Sequence, residues 1–311
     1  MALNTYTASE IAQVAATGVA TGVDLAQHVK RYEDKDFLGG HGGHAYIRIP
    51  AQLTAASRDI RDGDTQVVFD QLNERRISVD LTTHLVSAVK LTDAEYSLDL
   101  RDFTAQVMVP QADSIADGID KKVSDVLAGI AAKTPSKAYA ATKPQDLFVQ
   151  GRRALRAKGV DVANEKLVAF VGGAIVDDLL TSGALDFAKT GDADALRNGS
   201  AGKVMGFTVV ETARGVADNE AVFATASGIY VATRVPSIPD EVSFGEVAAK
   251  DGLRVRMIRD YDSTTLSSRS IVSTFVGAGI TPLYNVTRDY TTRATTVSEV
   301  AGGAVVKFKT A

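Results

Sequence analysis

The 311-residue sequence predicts an α+β fold, and three observations carry that prediction. After Pro110, the residues Ile115, Ile119, Val123, Val126, Leu127 and Ile130 form one apolar stripe at helical spacing. To Ala132 this is about 35 Å of amphipathic helix. Strict alternation marks strands at Ile77, Val79 and Leu81 against Ser78, Asp80 and Thr82, and again at Leu253, Val255 and Met257 against Arg254 and Arg256. Between these lies a strand, turn and strand unit from Leu196 to Pro236. A turn cluster, Asn198-Gly199-Ser200-Ala201-Gly202, opens it. A run from Val204 to Thr212 follows, with Phe207 and Val209 on one face. A polar reversal from Arg214 to Glu220 then leads into a second run, Val222 to Val235, closed by Pro236.

The remaining elements follow in chain order. Thr7 or Ser9 can cap a first helix, but Gly18 and Gly22 weaken it. The segment from Met1 to Leu38 buries little by itself, so it either frays or lies on something else. Gly39 to Gly43 is a joint. Beyond it, Ile47 and Ile49 alternate with Tyr46 and Arg48 up to Pro50. A charged tip from Ser57 to Asp64 separates this strand from the returning run at Ile77, which makes a long hairpin. Roughly 15 residues per arm reach roughly 50 Å. A ribbon of that length has little core and must lie on another surface. Thr92-Asp93-Ala94-Glu95 is a capping box, which starts a helix carrying Leu100, Phe103 and Val107. Pro110 suits the first turn of a new helix.

Lys133 to Lys143 reads as a linker and domain boundary. Pro144 to Lys158 is a helix with Leu147, Phe148 and Leu155 inward and Arg152, Arg153 and Arg156 outward. Leu167 to Val171 is a buried strand, and Gly172-Gly173 leads into a helix with Ile175, Val176, Leu179 and Leu180. After the central unit, Arg269 to Val276 is a strand closed by Gly277-Ala278-Gly279. Thr-rich alternation (Tyr284, Val286, Tyr290) precedes a last strand, Ala304 to Lys309.

Composition narrows the chemistry. Apolar residues at 45% and charged residues at 23% are ordinary globular values. Lys plus Arg number 34 against 38 for Asp plus Glu, and this balance argues against a chain whose main task is gripping nucleic acid. There is no cysteine, so disulfides and thiolate chemistry are excluded. No signal-peptide pattern or membrane-length apolar run is present, so a soluble protein is expected. His41 and His44 lack a third ligand at recognisable spacing, and no metal site is expected. The glycines at 172–173 and 199–202 lack dinucleotide-binding or P-loop spacing, and no acid/base pair or nucleophile motif is found. Neither enzyme activity nor a cofactor is expected.

The glycine turn followed by G-K-V-M-G-F-x-V-V-E-T (Gly202 to Thr212) and then V-A-T-R-V-P (Val231 to Pro236) resembles the central domain of tailed-bacteriophage major capsid proteins, the Hong Kong 97-type shell fold. The chain order supports the resemblance. It implies an N-arm (1–38) lying along neighbouring subunits and an extended E-loop hairpin with flanking strands (39–91). A peripheral domain with a long spine helix (92–143) and an axial domain (144–245) follow. Peripheral return strands occupy 246–280, and a C-terminal strand extension that fits the pattern least occupies 281–311.

On this resemblance Arg58, Asp59, Arg61 and Asp62 at the hairpin tip, and Glu74, Arg75 and Arg76 on its return, are candidates for ion pairs between subunits. The alternative is a solvated charged loop. Arg254, Arg256 and Arg259 are candidates for a lumen or subunit contact, or for a solvated face. The resemblance further implies a chain that assembles with itself into hexamers and pentamers of an icosahedral shell around double-stranded DNA, contacted non-specifically. Portal and scaffolding proteins are implied partners, and a membrane is not. The chain would be made in the host bacterial cytoplasm and reside in the virion. An encapsulin-like compartment and a soluble metal-dependent enzyme are the alternatives.

Overall fold

The computed structural model describes residues 7–32, 44–49, 55, 59–61, 75–95, 102–182, 202–240, 242, 244–288 and 295–310. Helix α1 (Ala8–Gly22) opens on the Thr7 cap. Its box is reciprocal: Thr7 Oγ1 accepts from Glu10 N–H at 3.3 Å, and Glu10 Oε2 accepts from Thr7 N–H at 2.8 Å. A 3-10 turn at Ala26–His28 leads to β1 (Lys30–Tyr32), followed by β2 (His44–Ile49), β3 (Arg75–Asp80) and β4 (Thr83–Thr92). A π-helical turn at Thr104–Met108 runs into α2 (Val109–Gly129). Next come β5 (Ala132–Lys133), α3 (Gln145–Ala157), β6 (Leu167–Val171), α4 (Gly173–Thr181), β7 (Lys203–Val204), β8 (Phe207–Glu211) and β9 (Glu220–Thr225). The chain finishes with β10 (Ile229–Arg234), β11 (Phe244–Lys250), β12 (Leu253–Asp262), β13 (Ser267–Ile280), β14 (Leu283–Arg288), β15 (Thr295–Val300) and β16 (Val305–Lys309).

Two units divide this chain. The first gathers residues 1–45, 79–129 and 229–279. Its sheet runs β1-β10-β13-β12-β11, with β4 along β13 in antiparallel register from Ser267↔Thr92 to Val276↔Thr83. The stripe of α2 is buried at Ile115, Ile119, Val123 and Leu127. Gln111, also buried, donates from Nε2 to Ser87 O and Ser270 O, both at 3.0 Å, and so ties the helix to β4 and β13.

The N-terminal segment expected to lie along neighbouring subunits is, from residue 8 to 32, docked on its own chain. α1 packs on α2, β11 and β12. The two glycines that weaken the helix are its contact points. A Cβ on Gly18 would sit 2.8 Å from Ala112 Cβ, and one on Gly22 3.1 Å from Ala116 Cβ. Asp120 of α2 then accepts the Asp24 N–H at 2.6 Å and the Ala26 N–H at 2.9 Å.

Pro110 lies in the first turn of α2, as expected, but α2 continues from a π-helical turn rather than starting afresh. The turn before it is widened, with Val109 N–H donating to Thr104 O, which lets a proline without an N–H sit inside a continuous helix. The glycines at 277 and 279 do not end a strand, since β13 continues to Ile280. They permit close approach: a Cβ would lie 2.6 Å from Asp80 O at Gly277 and 2.6 Å from Tyr230 Oη at Gly279.

The second unit gathers residues 46–78, 130–228 and 280–311. Its sheet runs β5-β16-β9-β6-β8-β7, with α3 packed on β9 and β16. Phe148, Phe207, Phe223 and Phe308 meet edge to face or tilted, with ring centroids 5.1 to 6.2 Å apart. The run expected as one strand from Val222 to Val235 is two, β9 in this sheet and β10 in the other. Gly228 stands at the break, where a Cβ would crowd Thr225 Oγ1 at 2.9 Å. The C-terminal strand extension forms a β14–β15 hairpin and then the expected last strand, β16. β16 is an interior strand between β5 and β9.

Candidate functional site

The chain's candidate functional surfaces begin with the β2–β3 pair. Ile77 and Val79 are buried on one face of β3, while Arg76 and Asp80 are exposed on the other, as the alternation requires. Arg75 is held within the chain, its guanidinium 4.2 Å from the centroid of the Tyr284 ring. At the tip, Asp59 Oδ1 accepts the Arg61 N–H at 3.0 Å, a local turn that fixes the loop end. Ile60 between them is fully exposed at 102%. Arg58, Asp62 and Glu74 lie outside the described residues, as do the turn residues 198–201, the His41 of the histidine pair and most of the hairpin arms.

The arginine face of β12 is also engaged internally. Leu253, Val255 and Met257 are buried, and Arg254 and Arg256 lie half-buried on the opposite face. Arg256 donates to Ser237 O at 2.6 Å and to Ser273 Oγ at 3.2 Å, and burial pushes its guanidinium down from the usual value. Arg259 stacks over Phe103 at 4.6 Å. One ion pair was not anticipated: Arg269 meets Asp260 through two hydrogen bonds, 3.0 and 2.7 Å, with Asp262 at 3.6 Å. Its signal is the register Asp260↔Arg269, which places them opposite one another only once β12 and β13 are paired.

A pocket of about 260 Å³ opens in the first unit where α2 approaches the β3–β4 turn and the end of β13. Asp80, Thr83, Lys122, Asp125, Val126 and Val276 are among its walls. Asp125 also pairs with Lys121 at 2.5 Å on the exposed helix surface.

The glycines that superficially suggest a nucleotide fold have a structural role. A Cβ on Gly172 would lie 2.2 Å from Ala217 O, so the strand-to-helix turn is filled by the chain's own backbone. Among the described residues no cluster of three or more His, Cys, Asp or Glu could hold a metal ion. No described helix is long and apolar enough to cross a membrane.

No protein-family model and no curated protein matches the sequence. Solved structures do. A chain from Mycobacterium phage Che8 superposes with a TM-score of 0.56 at 18% identity, over 91% of this chain and 90% of that one. The capsid of Ralstonia phage GP4 matches with a TM-score of 0.56 at 12% identity, over 91% and 87%. A virus-like particle from Pyrococcus furiosus matches with a TM-score of 0.50 at 11% identity, over 97% and 98%. The fold is the Hong Kong 97-type capsid fold. At such low identities the shared property is backbone architecture.

Proposed function

We propose that this chain is a major capsid protein of a tailed bacteriophage, which assembles with itself into an icosahedral shell enclosing double-stranded DNA. One observation carries the reading: the likeness to the Ralstonia phage capsid spans about nine-tenths of both chains, so the whole subunit is accounted for rather than one module. The task is mechanical. Many modest interfaces per copy close into a container. A net charge of −4 is compatible with it, because DNA driven in by a motor does not need to be collected by coat charge. Portal and scaffolding proteins are the expected partners, the virion the expected location and the host cytoplasm the expected place of synthesis. No catalytic role is assigned.

An encapsulin-like compartment is the second reading, and the likeness to the virus-like particle from Pyrococcus fits a shell of either kind. Contents separate the two. Particles isolated from the natural source are expected to hold nuclease-protected double-stranded DNA. Particles holding a stoichiometric cargo protein and no DNA would overturn the phage reading.

A further inference from the structure

Lys158, at the end of α3, reaches into the turn between β15 and β16. Its Nζ donates to Val305 O at 2.7 Å and Gly303 O at 2.8 Å, with Ala301 O at 3.2 Å and Gly302 O at 3.4 Å. An ammonium has three N–H donors, so four carbonyls are met only if one N–H is shared. Among the described residues no carboxylate pairs with it, and the charge that bears on it is another cation, Lys133 of β5. A half-buried ammonium is thus held by neutral oxygens alone.

The backbone of the turn gathers those oxygens. Gly302 and Gly303 are both left-handed, with φ of 70° and 53°. A Cβ on Gly303 would stand 2.4 Å from Thr281 O, so no side chain can enter there. Ala304 turns its carbonyl the other way, to the Thr225 N–H at 3.2 Å. Carbonyl dipoles aimed at one point repel one another unless a cation sits among them. Calcium and magnesium are poor candidates, because they take oxygens at about 2.3–2.6 and 2.0–2.1 Å and favour carboxylates. A wider ring of neutral carbonyls suits a monovalent cation of the size of ammonium or potassium.

We propose that the 301–305 turn is a monovalent-cation site whose resident ion is the chain's own Lys158 ammonium. Potassium or ammonium ion fills the same four carbonyls when that side chain is cut back. The tethered ion sets the entry into β16, an interior strand of the second unit's sheet. The test compares three full-length chains: wild type, Lys158→Ala, which leaves the cage open, and Lys158→Met, which occupies the same path without charge. Thermal unfolding is followed in potassium, ammonium or choline chloride, choline being too large to enter. At about 0.1 M, an ion bound with a Kd of about 10 mM raises the folded-to-unfolded ratio roughly tenfold, a Tm gain of about 3 °C.

Lys158→Ala is expected to show that gain in potassium and in ammonium relative to choline. Wild type and Lys158→Met are expected to show none beyond the salt effect common to all three chains. Folding of Lys158→Ala only with potassium or ammonium present would be the same result in stronger form. Equal loss in all three salts, failure to fold in every one included, would overturn the site, and so would an equal gain in Lys158→Met. Thallium(I), a heavy stand-in for potassium, is expected in the Lys158→Ala protein at the carbonyls of 301, 302, 303 and 305, and density only elsewhere would overturn the assignment. The site lies within one subunit, so its failure would leave the shell reading untouched.

Discussion

Gly151 shows how a single position can reverse an ordinary rule. Glycine within a helix such as α3 costs about 1 kcal/mol relative to alanine. Here a Cβ would stand 2.5 Å from Phe223 Cγ, in the aromatic cluster of the second unit. Overpacking costs about 1–3 kcal/mol, so Gly151→Ala is expected to lower the denaturant midpoint despite its better helix propensity. A second residue-scale prediction concerns Lys307 and Glu220, which are paired at 2.7 Å and nearly buried. The hydrogen bond from Lys307 holds the Glu220 carboxyl below its usual range, against burial that pushes it up. Because the folded value is depressed, the stabilisation is complete above the ordinary glutamate range and is lost as pH falls through the folded value. The wild-type Tm should therefore decline on acidification with a component that Glu220→Gln removes. At neutral pH the same variant should lose about 3–5 kcal/mol, since a buried ammonium loses its counter-charge. Neither effect was legible in sequence. Gly151 and Lys307 acquire their partners, Phe223 and Glu220, from far along the chain.

The elements divide by whether their pattern is local. The α2 stripe and the alternation of β3 and β12 were readable because one face is buried and the other is not, which leaves a period in the sequence. β9 and β10 are buried on both faces, so no period marks where one sheet ends and the other begins, and the two read as a single strand. The N-terminal segment is a related case: Gly18 and Gly22 look like helix-weakening residues until Ala112 and Ala116 are seen against them. Asp120 then fastens the exit of that segment, with 2% of its surface exposed. Asp120→Ala removes the acceptor for two backbone donors, at about 1–3 kcal/mol for each group left unsatisfied. The loss should be local. Cleavage by a non-specific protease is expected first between residues 8 and 32, at protease levels that leave the wild-type segment intact. Equal resistance of this segment in both proteins would show that the packing of α1 holds it without Asp120.

At the scale of the molecule, the hairpin length led to a requirement that it lie on another surface, and the exposed Ile60 at its tip is consistent with that requirement. The candidate site was legible only in outline. Of the charged residues picked out from sequence, Arg75, Arg256 and Arg259 are engaged within the chain. Asp59 and Arg61 remain at the uncovered tip. Charge marks where a loop meets solvent, but whether a side chain turns outward depends on rings and carbonyls supplied by distant strands. The most direct measurement is electron microscopy of the purified full-length protein at concentrations that span assembly. Closed shells of uniform diameter with icosahedral symmetry are expected. Single copies or small open oligomers at every concentration, whether or not the proteins encoded beside it are co-expressed, would contradict the reading of this chain as a shell subunit.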